Sequence, residues 1–276
     1  MTATATPTPA PALGSSAGFG HIMLAEWTKI RSVRSTVWSL VLLVVLDLGF
    51  TALFTSLTIA QWDKSDVQTR VSIVADPTSV ILGSGLQLSQ LAICVLAVIV
   101  MTSEYSSGMI RASLLAVPRR LSMLAAKALV FGVLVLVLGT AVSVASFFLG
   151  APILHSKAPV ALGDPGVLRA VIGGGLYVTM LGLFALAVGA ILRHTAAGIT
   201  VVIGLVLVLA PLAQLLPGSI GKHVHAYLPS EAGRLIGQVV RRPGDLLSPW
   251  QGYAVFGAWT AALLIVAAVL LTRRDA

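Results

Sequence analysis

The chain reads as an all-α integral membrane protein with six spans, and three observations lead there. Of its 276 residues, 57% are hydrophobic and 10% charged, with a mean hydropathy of +0.96, whereas a soluble domain carries about 25% charged residues. Apolar runs long enough to cross roughly 30 Å of hydrocarbon, about 20 residues each, occur at 37–60, 81–102, 123–149, 169–192, 196–217 and 251–272. The net charge of +8 gathers in short basic clusters beside those runs, where Lys and Arg set orientation and meet anionic headgroups. The Arg-rich clusters lack the interleaved aromatics of a single-strand nucleic-acid surface, so the expected non-protein partner is membrane lipid and no nucleic acid.

Residues 1–20, "MTATATPTPAPALGSSAGFG", have neither the basic start nor the apolar centre of a signal peptide and read as a disordered cytoplasmic tail. Residues 21–276 read as a single transmembrane domain. In "HIMLAEWTKIRSVRSTVW", Met23, Trp27 and Ile30 share a helical stripe with Arg34, and Glu26 borders it. That stretch is either an interfacial helix with Arg34 snorkelling to headgroups or the basic flank of the first span. Asp47 falls about ten residues into the first span, near mid-membrane at 1.5 Å per residue. An ionisable group at that depth marks a pathway or a buried partner. It lines a translocation route, hydrogen-bonds Ser or Thr on a neighbouring helix, or is held neutral.

The second span carries Cys94, the single cysteine, and Ser84 in "LGSGLQ". No span supplies a His to activate that serine, because His21, His155, His194, His223 and His225 all fall in loops. In the later spans, Gly139 with Ser143 and Ala185 with Gly189 repeat small residues at helical spacing, which permits close helix packing. "GGG" at 173–175 is expected to loosen the fourth span, and Pro211 to kink the fifth. The last outer loop, 218–250, includes "PSEAGRLIGQVV", a potential short helix with Ser230 as N-cap. It lies on the outer leaflet, dips into it, or is an ordinary exposed loop. His223 and His225 alone supply too few ligands for a metal.

With the N-terminus inside, the inner side holds ten Lys and Arg against eight outside, and three acids against six. The inner bases also sit nearer the span ends, where the positive-inside rule is strongest. Both termini are therefore expected in the cytoplasm, as is the loop 103–122. There Ser106 or Ser107 can cap a short helix starting near Gly108, and Pro118 removes Val117 from the α region and ends it. Met109, Ile110, Leu114 and Leu115 are its apolar side chains, and a helix this short needs tertiary packing to persist.

The segment Glu104–Arg120, "E-Y-x-x-G-x-I-R-x-x-L-L-x-x-P-R-R", resembles the region after the second span in type-2 ABC exporter permeases. The basic lead-in "LAEWTKIRSVRSTVW", the span count and the enlarged last outer loop resemble that family too, over 20–276. Met109 departs from the Thr of many relatives. The resemblance implies a cytoplasmic coupling helix between spans 2 and 3 that docks on a separate ABC ATPase subunit. By that carry-over Glu104 pins the loop, Gly108 allows close backbone approach, and Arg111 faces the partner or Glu104. Ile110 and Leu114 supply apolar contact, and Pro118, Arg119 and Arg120 set the exit into the third span.

The chain has no G-x-x-x-x-G-K-[ST] phosphate loop, so ATP is expected on the partner subunit and no cofactor or catalytic residue on this chain. The implied function is the permease subunit of an ATP-driven exporter in a bacterial plasma (inner) membrane, paired with a second permease chain in a homo- or heterodimer. Two alternatives stand beside it: an ion-coupled secondary transporter using Asp47, and a non-transporting membrane scaffold or immunity protein.

Overall fold

A computed structural model describes residues 18–106, 108, 120–242 and 244–273. All regular structure among them is helical. The order is α1 (Phe19–Ser32), α2 (Arg34–Ala60), α3 (Val67–Ala75), α4 (Pro77–Ser106), α5 (Arg120–Leu154), α6 (Val167–Leu192), α7 (Thr195–Ile203) and α8 (Leu209–Gln214). There follow α9 (Gly218–Tyr227), α10 (Pro229–Arg234) and α11 (Pro249–Arg273). Six helices are long and apolar enough to cross a membrane: α2, α4, α5, α6, the continuous run Thr195–Gln214 and α11. They coincide with the expected runs, and five of them extend past those runs because a helix continues beyond the hydrocarbon while its backbone still needs partners; the fifth span ends at Gln214, short of the expected 217. At 35 residues, α5 is roughly 52 Å long at 1.5 Å per residue, well beyond the 30 Å apolar slab.

Burial is unequal. In the most apolar stretches of α6 and α4, 67% and 61% of residues are buried, against 17% in α2 and 22% in α11. The core is thus the α4–α6 pair with α5 against it, and α2 and α11 form the periphery. Their exposed side chains, including Trp38, Leu42, Val45, Trp259 and Ile265, make a surface that only a hydrocarbon solvent accommodates. Small residues let the core helices close up. A Cβ on Gly139 would lie 3.5 Å from the Gly175 backbone, and one on Gly189 would lie 3.3 Å from that of Val98. The glycine run at 173–175 does not loosen α6. It is where Ile236, Ser143 and Thr140 approach most closely, and the helix is unbroken through it.

The fifth span is distorted before Pro211. Gly204–Val208 form a π-turn between α7 and α8, and the wider turn relieves the clash between a proline ring and the carbonyl four residues back. In the last loop, Pro229 occupies the first turn of α10 and Leu228 is its N-cap. Ser230 is therefore not the cap; it is buried inside the first turn, with Pro229 ahead of it in the position that needs no N–H. That loop is no plain exposed connection. It carries α9, α10 and a 3-10 turn (Leu235–Gly237), and Ala232 and Ile236 are fully buried.

The expected coupling helix lies outside the described residues, with Ile110, Arg111, Leu114, Pro118 and Arg119, as does most of the N-terminal tail; α1 begins at Phe19, just inside the end assigned to that tail.

Candidate functional site

Four charged side chains from three helices meet at one end of the bundle. The buried face of α1 is Ile22, Glu26 and Ile30, spaced by four, so the expected stripe through Trp27 is rotated and Glu26 points inward with the apolar residues. Glu26 meets Lys127, in the second turn of α5, at 2.5 Å between Oε2 and Nζ. Lys127 also donates to Glu104 Oε1 at 2.9 Å, and Lys29 donates to Glu26 Oε1 at 2.7 Å and to Glu104 Oε1 at 2.9 Å. The Glu26, Glu104 and Lys127 side chains are at most 4% exposed, against 30% for Lys29.

Removing those charges from water is costly, and only their mutual attraction and hydrogen bonds offset it. Two carboxylates and two ammonium groups cancel formally, so the cluster is balanced as a unit and unbalanced by loss of any one member. The buried Glu104 Oε2 has no hydrogen-bond partner among the described residues. Burial alone would lower the pKa of Lys29, but its bonds and charge attraction to Glu26 and Glu104 prevail and hold it above the ordinary value.

Other contacts tie down both stems of the segment 107–119. The Thr102 and Thr195 hydroxyls share a 2.7 Å hydrogen bond, linking α4 to α7. The Arg193 guanidinium lies 5.1 Å from the Tyr105 ring centroid, a cation–π contact from the end of α6. On the returning stem, Arg120 Nη1 donates to the Leu271 carbonyl of α11 at 3.0 Å. Gly108 adopts φ 70°, and its N–H donates to the Tyr105 carbonyl at 3.3 Å. The left-handed turn that ends α4 is what a glycine supplies there; no described atom crowds it. Of the residues singled out from sequence, Glu104, Gly108 and Arg120 thus stand at the stems of one segment.

Asp47 sits apart, deep between α2, α4 and α5. Its Oδ2 accepts from Ser89 Oγ at 2.7 Å and its Oδ1 from Ser146 Oγ at 2.6 Å. Of the readings left open by the sequence, this geometry matches hydrogen bonding to hydroxyls on neighbouring helices. The packing allows nothing larger than glycine opposite it: a Cβ at Gly85 would meet Asp47 Oδ1 at 2.6 Å and the Asp47 carbonyl at 2.7 Å.

At the opposite end, Asp76 holds the strap that follows α10. It accepts from the Val239 and Val240 N–H groups at 2.9 and 3.2 Å and from the Ser79 N–H at 3.0 Å. Arg169 adds bonds to the Ile236 and Gln238 carbonyls at 3.2 and 2.8 Å. His223 and His225 are separately engaged, by the Ser219 carbonyl and the Gln214 amide.

Sequence reasoning missed Lys127 as a site residue, counting it as one more inner-side base. The signal was available: Lys127 lies inside the apolar run 123–149, and an intramembrane ammonium demands a carboxylate as much as Asp47 demands a partner. Glu26 and Glu104 are two of the three acids assigned to the inner side. No protein-family model matches the chain, and no curated protein is significantly similar to it.

Proposed function

We propose that the chain is the permease subunit of an ATP-driven exporter of the type-2 ABC kind, with its α1 end in the cytoplasm and segment 107–119 docking on a separate ATPase. The observation that carries this is the position of Glu104. The first residue of the family-like segment is buried in an ionic cluster that fastens α4 to α1 and α5. A force applied to the segment would reach several helices at once, because its stems are bonded into the bundle on both sides. Closure of the ATPases would then move the spans as rigid bodies. A second permease chain, identical or paralogous, would complete the path against the lipid-facing periphery.

The test is co-purification of the tagged chain from its native membrane, wild type beside Arg111→Glu and Leu114→Asp. A subunit with a Walker A motif should accompany the wild type and be lost from both variants. Function that persists with no ATPase bound would overturn the proposal.

A further inference from the structure

A cavity of about 580 Å³ opens at the end opposite the ionic cluster, between α4, α6 and the α9–α10 segment. Its volume falls in the range of small-molecule sites, about 300–1,000 Å³. Its floor is apolar, with Leu82 and Tyr177 buried and Leu86 and Leu235 half-buried. Its rim carries Lys222, Arg234 and Arg242. Arg234 is already engaged, by Glu231 at 3.3 Å and by Gln87 at 2.9 Å. Lys222 and the Arg242 guanidinium are exposed and have no carboxylate partner among the described residues. Of the two acids lining the cavity, Glu231 pairs with Arg234 and Asp245 accepts from the Arg242 backbone N–H at 2.8 Å.

A second, wider groove of about 980 Å³ lies on the other side of Ser79, Gly83 and Arg242, which line both spaces. Its further walls include Phe54 of the lipid-facing α2, with Val71 and Val80. Asp76 also borders that groove, but its carboxylate is saturated by the strap and Ser79. Arg242 thus stands where an apolar approach from the membrane side meets a cavity with an apolar floor and unmatched positive charge.

We propose that this cavity binds an anionic amphiphile. A carboxylate or phosphate headgroup sits between Lys222 and Arg242, whose fork geometry suits either, and the apolar body lies on Leu82, Leu86 and Leu235. The site does not depend on an ATPase, so it stands or falls separately from the exporter proposal. Titration calorimetry on the purified chain in an uncharged detergent tests it, with decyl phosphate as probe and decanol and inorganic phosphate as its two halves.

Decyl phosphate should bind once per chain, with each half at least tenfold weaker. Lys222→Gln and Arg242→Gln should each weaken it about tenfold, the scale of one charge-assisted hydrogen bond. Both side chains are exposed, so the folded state tolerates the changes, and Lys157→Gln, which lines neither space, should leave binding unchanged. Displacement of the probe by phosphatidylglycerol would assign the site to a membrane lipid; its failure to displace would assign it to a free amphiphile. Absence of saturable binding, decanol binding as tightly as decyl phosphate, or variants that bind like wild type would each overturn the proposal.

Discussion

Replacing Lys127 by Met should be among the most damaging single changes in the chain, and a second change should largely repair it. Lys127→Met keeps the length of the stem but deletes an ammonium group that is 2% exposed and bonded to Glu26 and Glu104. The cluster then holds two carboxylates against Lys29 alone, an uncompensated buried negative charge. Breaking a buried pair this way costs about 3–5 kcal/mol. Lys29→Met removes the same formal charge and leaves the same two carboxylates against one ammonium, but Lys29 is 30% exposed, so water can enter its vacated place; its loss should cost less than that of Lys127. Adding Glu26→Leu to Lys127→Met restores balance, leaving Lys29 with Glu104 at 2.9 Å. Exchange of a buried ion pair for apolar side chains is often near neutral. The double variant should therefore be more stable than Lys127→Met alone. Equilibrium unfolding in mixed micelles with increasing dodecyl sulfate, followed by helical circular dichroism, reads these differences. Additive losses, within about 0.5 kcal/mol, or a Lys29 variant as unstable as the Lys127 variant, would refute a coupled buried cluster.

The same geometry makes further predictions. Gly85→Ala should destabilise by about 1–3 kcal/mol by overpacking, since its Cβ would press on the Asp47 carbonyl; the same unfolding titration measures it. Asp47→Asn should keep transport and most stability, because an amide can still bond both serines, whereas Asp47→Leu strands the Ser89 and Ser146 hydroxyls at about 1–3 kcal/mol each. Transport assays that lose activity and pH dependence in Asp47→Asn would instead favour ion coupling through that residue. Because the folded-state pKa of Lys29 is raised, its contribution is complete below 10.5 and lost as pH rises past that value. Detachment of α1, followed through Trp27 fluorescence, should therefore set in under alkali and be less pH-dependent in Lys29→Met.

The spans were legible because hydropathy over about 20 residues is a strong signal and lipid leaves the backbone no choice but helix. Asp47 stood out for the same reason, as a charge where charges are rare. Lys127 did not, because a base near a span end has a ready explanation in the positive-inside rule; of its two partners, Glu26 is revealed by its position on the inner face of α1. Rotation of α1 by one residue decides that, and the sequence pattern of a short, mixed helix does not fix it so finely. The strap at 235–240 was unreadable for a different reason. Its anchors, Asp76 and Arg169, lie far away in sequence and bond to backbone atoms, which leave no mark in residue identity.

The most direct test of the proposed role labels one position beside the stem of segment 107–119. Ser106 is exposed and the chain's own Cys94 is buried, so Ser106→Cys supplies a single accessible thiol. A membrane-impermeant maleimide should leave intact cells unlabelled, label inverted membrane vesicles slowly, and label them faster once peripheral subunits are stripped with urea. Labelling from the outside, or a rate in inverted vesicles that stripping does not change, would contradict a cytoplasmic segment covered by an ATPase.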